Sequence, residues 1–206
     1  MTELIPVSAG EPDLRCRINI VAPTVVEVVK HAGGWVFDRM MAGWHVVVIV
    51  GELVDDRPLR ILGAKSLSFE TAVRSHLLCE HPQSLAVPTD LFETDSQVRS
   101  WVLKALEHGL TQVALWGRSC PPELSDNVDI GQHRLTTAAR AFKAQALVAA
   151  GVADVSVADT ENFHAGASAL PPVATDLVPV HTGRVLADVG SDWCGIDELK
   201  TASAVT

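Results

Sequence analysis

The amino-acid sequence predicts an α/β domain in three layers, a mostly parallel sheet between helices, followed by an extended C-terminal segment. Three observations carry that prediction. RCRINIVA (15–22), a helix-like stretch and HVVVIV (45–50) form a strand-helix-strand unit near the start of the chain, the building block of a parallel sheet. Apolar strand-like runs and stretches of helical period go on alternating as far as residue 159. HVVVIV also carries no polar residue after His45, the mark of a strand covered on both faces.

The elements follow in order. Residues 1–14 hold two prolines and a glycine among polar residues and read as an arm. The strand at 15–22 alternates at first and then turns continuously apolar, as on entry to a buried parallel sheet. Thr24 with Glu27 makes a T-x-x-E capping box that opens the first helix. Val25, Val29, Ala32, Val36 and Met40 share one face of it, with Glu27, Lys30, His31 and Asp38 turned away. Gly43 stops it before the second strand. LRILGA (59–64) reads as a third strand, Ser68 as the cap of a short helix through Cys79, and SLAVP (84–88) as another strand. Thr94 with Gln97 forms a second capping box, opening a helix through His108 that buries Val98, Trp101, Val102, Ala105 and Leu106. Gly109 ends that helix and TQVALWG (111–117) returns as a strand. A Pro-rich acidic loop, SCPPELSDNVDIG (119–131), leads into the helix HRLTTAARAFKAQALVAAG, stopped by Gly151, and DVSVAD (154–159) reads as a last strand.

GGWVFDRMMAGWHVVVIV followed by RPLRILGA resembles the first helix, second strand and third strand of Rossmann-like domains in general. That resemblance spans under a third of the chain, and it implies a fold shared by many unrelated functions. The domain organisation expected is an arm at 1–14, a Rossmann-like α/β domain at 15–159, and an extension at 160–206, partly docked or disordered. Periodicity fades beyond about residue 160, where prolines, glycines and small residues dominate.

Composition narrows the function classes. The 206 residues are 48% hydrophobic and 20% charged, which is globular composition. No apolar run approaches the ~18 residues of a membrane span. MTELIPVSAGEPDLR places an acid before any base and lacks an apolar core, so it does not read as a secretory signal. A cytoplasmic protein is expected, and the wealth of Ala, Val and Arg suggests a GC-rich bacterial source. Net charge is −9, with seven acids against two bases in residues 155–206. Without a basic cluster, phosphate-backbone binding lacks its electrostatic footprint. Cys16, Cys79, Cys120 and Cys194 form no C-x-x-C pair, so neither a zinc ribbon nor a dithiol motif is encoded.

The first turn, Val21-Ala22-Pro23-Thr24, has no glycine, and Pro23 has no amide hydrogen to offer a pyrophosphate. Binding of NAD, FAD or ATP through a glycine-rich loop is therefore not expected, although Glu52 stands where an acid holds ribose hydroxyls. No P-loop and no G-x-S-x-G elbow occur. His76, Cys79 and His81 lie close in SHLLCEHP, but further zinc ligands are missing nearby, and a helix end with a buried thiol explains them; no metal is expected. Glu52, Asp55 and Asp56 follow a strand, while Glu123, Asp126 and Asp129 precede a helix bearing His133. In a parallel fold both loops could meet at the C-terminal edge of the sheet, where sites form. Thr24, Glu52, Asp55, Asp56, Asp126, Asp129 and His133 are the candidate ligand-binding residues, weighed against two solvated acidic loops. Arg134, Arg140 and Lys143 are read as decorating the exposed side of the last helix.

With no strong catalytic motif, the reading is a non-catalytic accessory or regulatory protein that binds a partner or a small ligand. The alternative is a degenerate Rossmann-like transferase or hydrolase acting on a nucleotide or sugar derivative. The second alternative is a DNA-associated regulator that reads with the helix at 132–150. Trp193 with Val185, Leu186 and Ile196 is too apolar for a solubilising tail, so docking onto the domain, a partner or a second copy is expected there.

Overall fold

A computed structural model of the chain describes residues 16–51, 55–75, 82–166 and the backbone at 178–179. Its centre is the expected strand-helix-strand unit. β1 (Arg17–Ala22) pairs in parallel with β2 (His45–Val50), setting Ile20 beside Val48. Between them runs α1 (Val25–Met41), capped by Thr24, whose side chain accepts the Glu27 N–H. β3 (Lys65–Ser68) lies outside β2, and β4 (Ser84–Pro88) and β5 (Gln112–Trp116) lie on the other side of β1, all parallel. The sheet then continues through antiparallel strands: β6 (Val128–Arg134), β7 (Thr160–Gly166) and the two-residue β8 (Val178–Pro179) give the order β3-β2-β1-β4-β5-β7-β6-β8. The fold class is the α/β, mostly parallel one that the sequence predicts.

Helices cover both faces. α1, α2 (Arg57–Ile61) and α6 (Thr137–Ala149) enclose one core with Ile18, Ile20, Val46 and Val48. α3 (Phe69–Arg74), α4 (Thr89–Thr94) and α5 (Ser96–His108) enclose the other with Val21, Val47, Ile49, Val113 and Leu115. β2 serves both cores, which explains its unbroken apolar run. α1 is buried nearly all round, including Trp35, Val28 and Phe37, because α6 packs on the side away from the sheet. Among the described residues, no helix is long and apolar enough to cross a membrane.

Several expectations are corrected. LRILGA is not a strand: Pro58 sits at the first turn of α2, and the strand begins only at Lys65. The second capping box is displaced by one residue, for Asp95 and not Thr94 caps α5, accepting from Gln97 and Val98 N–H. Trp101, Ala105 and Leu106 on that helix are only partly buried. Residues 154–159 are irregular, and the strand is β7, just beyond them. The domain therefore does not end at 159, since β7 lies between β5 and β6. The helix expected at 132–150 begins only at Thr137, after Thr136 as cap, and His133 belongs to β6. The arm 1–14, Glu52, the His76–His81 cluster and Trp193 lie outside the described residues.

Candidate functional site at the strand ends

The strand order reverses between β1 and β4, so their loops diverge beyond the carboxyl ends and leave a crevice, the usual ligand position in open α/β sheets. A cavity of about 540 Å3 opens there. α1 starts at this edge, and its first two turns bring Glu27, Lys30 and His31 to one wall. The ends of β4 and β5 supply Pro88, Thr89, Asp90, Trp116, Gly117 and Arg118. Because β7 runs antiparallel, its beginning reaches the same edge with Thr160, Glu161 and Asn162.

The corner between β4 and β5 is closely built. Gly117 holds φ of 151°, and a Cβ there would overlap the Thr89 hydroxyl, so only glycine lets the two loops meet. Thr89 is 2% exposed, and the buried Trp116 indole Nε1 beside this corner has no hydrogen-bond partner among the described residues. Buried polar groups of this kind are normally satisfied by something.

His31 is the titratable group of note. The residue as a whole is exposed, but partial desolvation of its ring lowers its pKa below the ordinary 6.5, partly offset by the Glu27 carboxylate, while Lys143 lowers it, Glu161 raises it and Lys30 lowers it. The imidazole is therefore neutral at neutral pH and able to accept a proton. Lys30 and Arg118 make no side-chain hydrogen bond or ion pair among the described residues.

Beneath the cavity lies a buried ion pair. Lys143 Nζ stands 2.6 Å from Glu161 Oε1, with side chains 6% and 3% exposed. Lys143 also donates to the Lys30 carbonyl at 2.7 Å. Glu161 accepts the Gly34 and Trp35 amides, each at 2.8 Å. Lys143 was expected on an exposed face; its burial is a correction, caused by packing of α6 onto α1.

The candidate residues read from the sequence are dispersed. Thr24 is an exposed helix cap. Asp55 accepts the Arg57 amide and Asp56 precedes α2. Asp126 and Asp129 are exposed at the start of β6, beside the end of β7, which is the opposite sheet edge from Asp55 and Asp56. The two acidic loops do not meet, because β6, antiparallel to β7, runs in the same direction as β1–β5 and so begins at the opposite edge from where β2 ends. His133 Nε2 is bonded to Asp38 Oδ2 at 2.9 Å, and Asp38 Oδ1 also accepts the Thr136 hydroxyl at 2.6 Å, tying β6 and the start of α6 to α1. His133 lines a separate cavity of about 650 Å3 with Phe37, Met41 and Arg134. None of the six described candidates lines the cavity at the strand ends. The missed residues had one usable signal: Glu27, Lys30 and His31 are polar positions on the first turns of a helix that must begin at the site edge.

Among the described residues, no group of three or more His, Cys, Asp or Glu could hold a metal ion. The helix proposed to read DNA is also corrected: Arg140 pairs with Asp159, and Lys143 is buried with Glu161, leaving the helix without an available basic face.

Neither a protein-family description nor a curated protein matches the sequence. Solved structures do match the fold. A deacetylase from the teicoplanin biosynthesis pathway, in complex with teicoplanin, is 13% identical, with 74% of this chain and 98% of that chain covered at a TM-score of 0.52. A deacetylase of the A40926 pseudoaglycone is 14% identical, with 76% of this chain and 100% of that chain covered at a TM-score of 0.50. At such identity they establish a shared fold. The expectation of a non-catalytic accessory protein is corrected by these findings, since both of these matching structures are deacetylases and the crevice is open and lined by converging polar groups.

Proposed function

We propose that this protein is a hydrolase that removes an acyl group from a small sugar or nucleotide derivative bound in the cavity at the strand ends. The observation that carries the reading is a neutral imidazole, His31, placed in that cavity with the Glu27 carboxylate and the cations Lys30 and Arg118 among its lining. Deacetylation, the activity named for both matching structures, is hydrolysis of this kind.

In this reading His31 accepts a proton from water as the water oxygen attacks the acyl carbon. The developing oxyanion is met by Lys30 or Arg118. Glu27, one turn earlier on α1, stabilises the imidazolium. The imidazolium then returns its proton to the departing nitrogen or oxygen as the acyl bond breaks, regenerating the neutral base. Thr89 and the other polar lining groups hold the substrate.

The test is acetate release, followed by proton NMR, from a panel of N- and O-acetylated sugars and nucleotides. Release is expected from at least one member and should fall about 10²–10⁴-fold in His31→Asn. No release from any member, or equal release by His31→Asn, would sink the proposal.

A further inference from the structure

The Lys143–Glu161 pair needs an explanation beyond stability. Taking two charges out of water is costly, and apolar replacements are often as stable. The partners of this pair are specific. In an ideal helix the Gly34 N–H would be given to the Lys30 carbonyl. Here Gly34 N–H reaches Glu161 Oε1 at 2.8 Å, and the Lys30 carbonyl accepts Lys143 Nζ at 2.7 Å. Trp35 N–H takes the second carboxylate oxygen at 2.8 Å. The pair is thus clamped across one turn of α1, using backbone groups and not side chains.

The Gly33-Gly34 step lies on this turn. Lys143 Cγ stands 3.4 Å from where a Gly33 Cβ would be, an ordinary contact, and Leu135 fills the space over Gly34. The clamp joins α1, α6 and β7 at the point where α1 passes from its cavity-lining half to its buried half. His31 and Lys30 lie on the clamped turn itself.

We propose that Lys143 and Glu161 are positioning residues: their pair fixes the Lys30–Gly34 turn of α1 and thereby sets where His31 stands in the cavity and what field it feels. This rests on the reading of His31 as the working base, but its test uses no turnover. The groups facing His31 are Glu27 and Lys30 from α1, Lys143 from α6 and Glu161 from β7, with Asp90 and Arg118 lining the same cavity. Lys143 and Glu161 act on the imidazole in opposite senses.

The experiment is NMR of the full chain, following the His31 ring through a pH titration and the Gly34 and Trp35 amides by hydrogen exchange. Lys143→Met should raise the His31 pKa and Glu161→Gln should lower it. Glu161→Gln should also speed exchange of at least one of the two amides by about tenfold, since a carboxamide offers one acceptor oxygen in place of two. Shifts in the same direction in both variants, or none, would overturn the proposal, because mere loosening moves His31 toward its ordinary value in either case. If Glu161→Gln does not fold, Glu161→Asp keeps the charge but withdraws it by one methylene. Faster Gly34 and Trp35 exchange then supports the clamp, and unchanged exchange overturns it. A positive result with no acetate release would retain the clamp and discard the hydrolase.

Discussion

Adjacent glycines in α1 should respond in opposite senses to the same substitution. An alanine Cβ at Gly34 would fall far inside 3.0 Å of both Cγ and Cδ2 of Leu135, with Cδ1 at 3.2 Å. Because Cγ itself is overlapped, turning the outer torsion of Leu135 gives no relief. Its backbone is held as well, for its N–H donates to the Asp159 carbonyl at 2.9 Å and the next residue, Thr136, caps α6. Overpacking costs about 1–3 kcal/mol, and two overlapped carbons place this site at the upper end. Alanine returns about 1 kcal/mol of helix propensity, so Gly34→Ala should lose a net of about 2 kcal/mol, a fall in Tm of about 4–8 °C. At Gly33 the nearest atom to a new Cβ is Lys143 Cγ at 3.4 Å, an ordinary contact. Propensity then governs, and Gly33→Ala should be neutral or up to about 1 kcal/mol more stable. Urea unfolding and calorimetry of both variants measure the difference. If Gly34→Ala is as stable as the parent, or if the two variants are equally destabilised, the close approach of Leu135 to α1 is wrong.

Other predictions concern the core, the cap and the base. Val48, fully buried between β1 and β3, should cost about 2–3 kcal/mol as Val48→Ala, from two lost methyls and the cavity left behind; an unchanged urea midpoint would contradict its central place. Thr24→Ala should lose about 1 kcal/mol through the missing cap while leaving acetate release unaltered, a check on its purely structural part. The rate of hydrolysis should rise with pH through a pKa below the ordinary 6.5 and then level off, because His31 works unprotonated and burial depresses its pKa. In Glu27→Gln the rising limb should move to lower pH, since the neighbour that favours the imidazolium is gone; movement to higher pH would refute the assignment.

What the sequence determined by itself was local. The Thr24 cap, the apolar stripe of α1, the unbroken β2 and the β4 and β5 strands follow from periodicity and capping, which act within a few residues. A five-residue helix such as α2 falls below that resolution, because a short apolar run beside Pro58 satisfies both patterns. Tertiary structure decided the rest. β6 runs in the direction of β1–β5, so its start carries Asp126 and Asp129 to the edge opposite Asp55 and Asp56, and strand direction is set by partners distant in sequence. The antiparallel β7 brings Glu161 to the cavity, where it meets Lys143 and the backbone of α1. A lysine on a helix and a glutamate at the start of a strand read as solvated charges, since desolvation is the greater cost until each finds the other. Only the packed fold supplies that encounter, and with it the floor beneath His31.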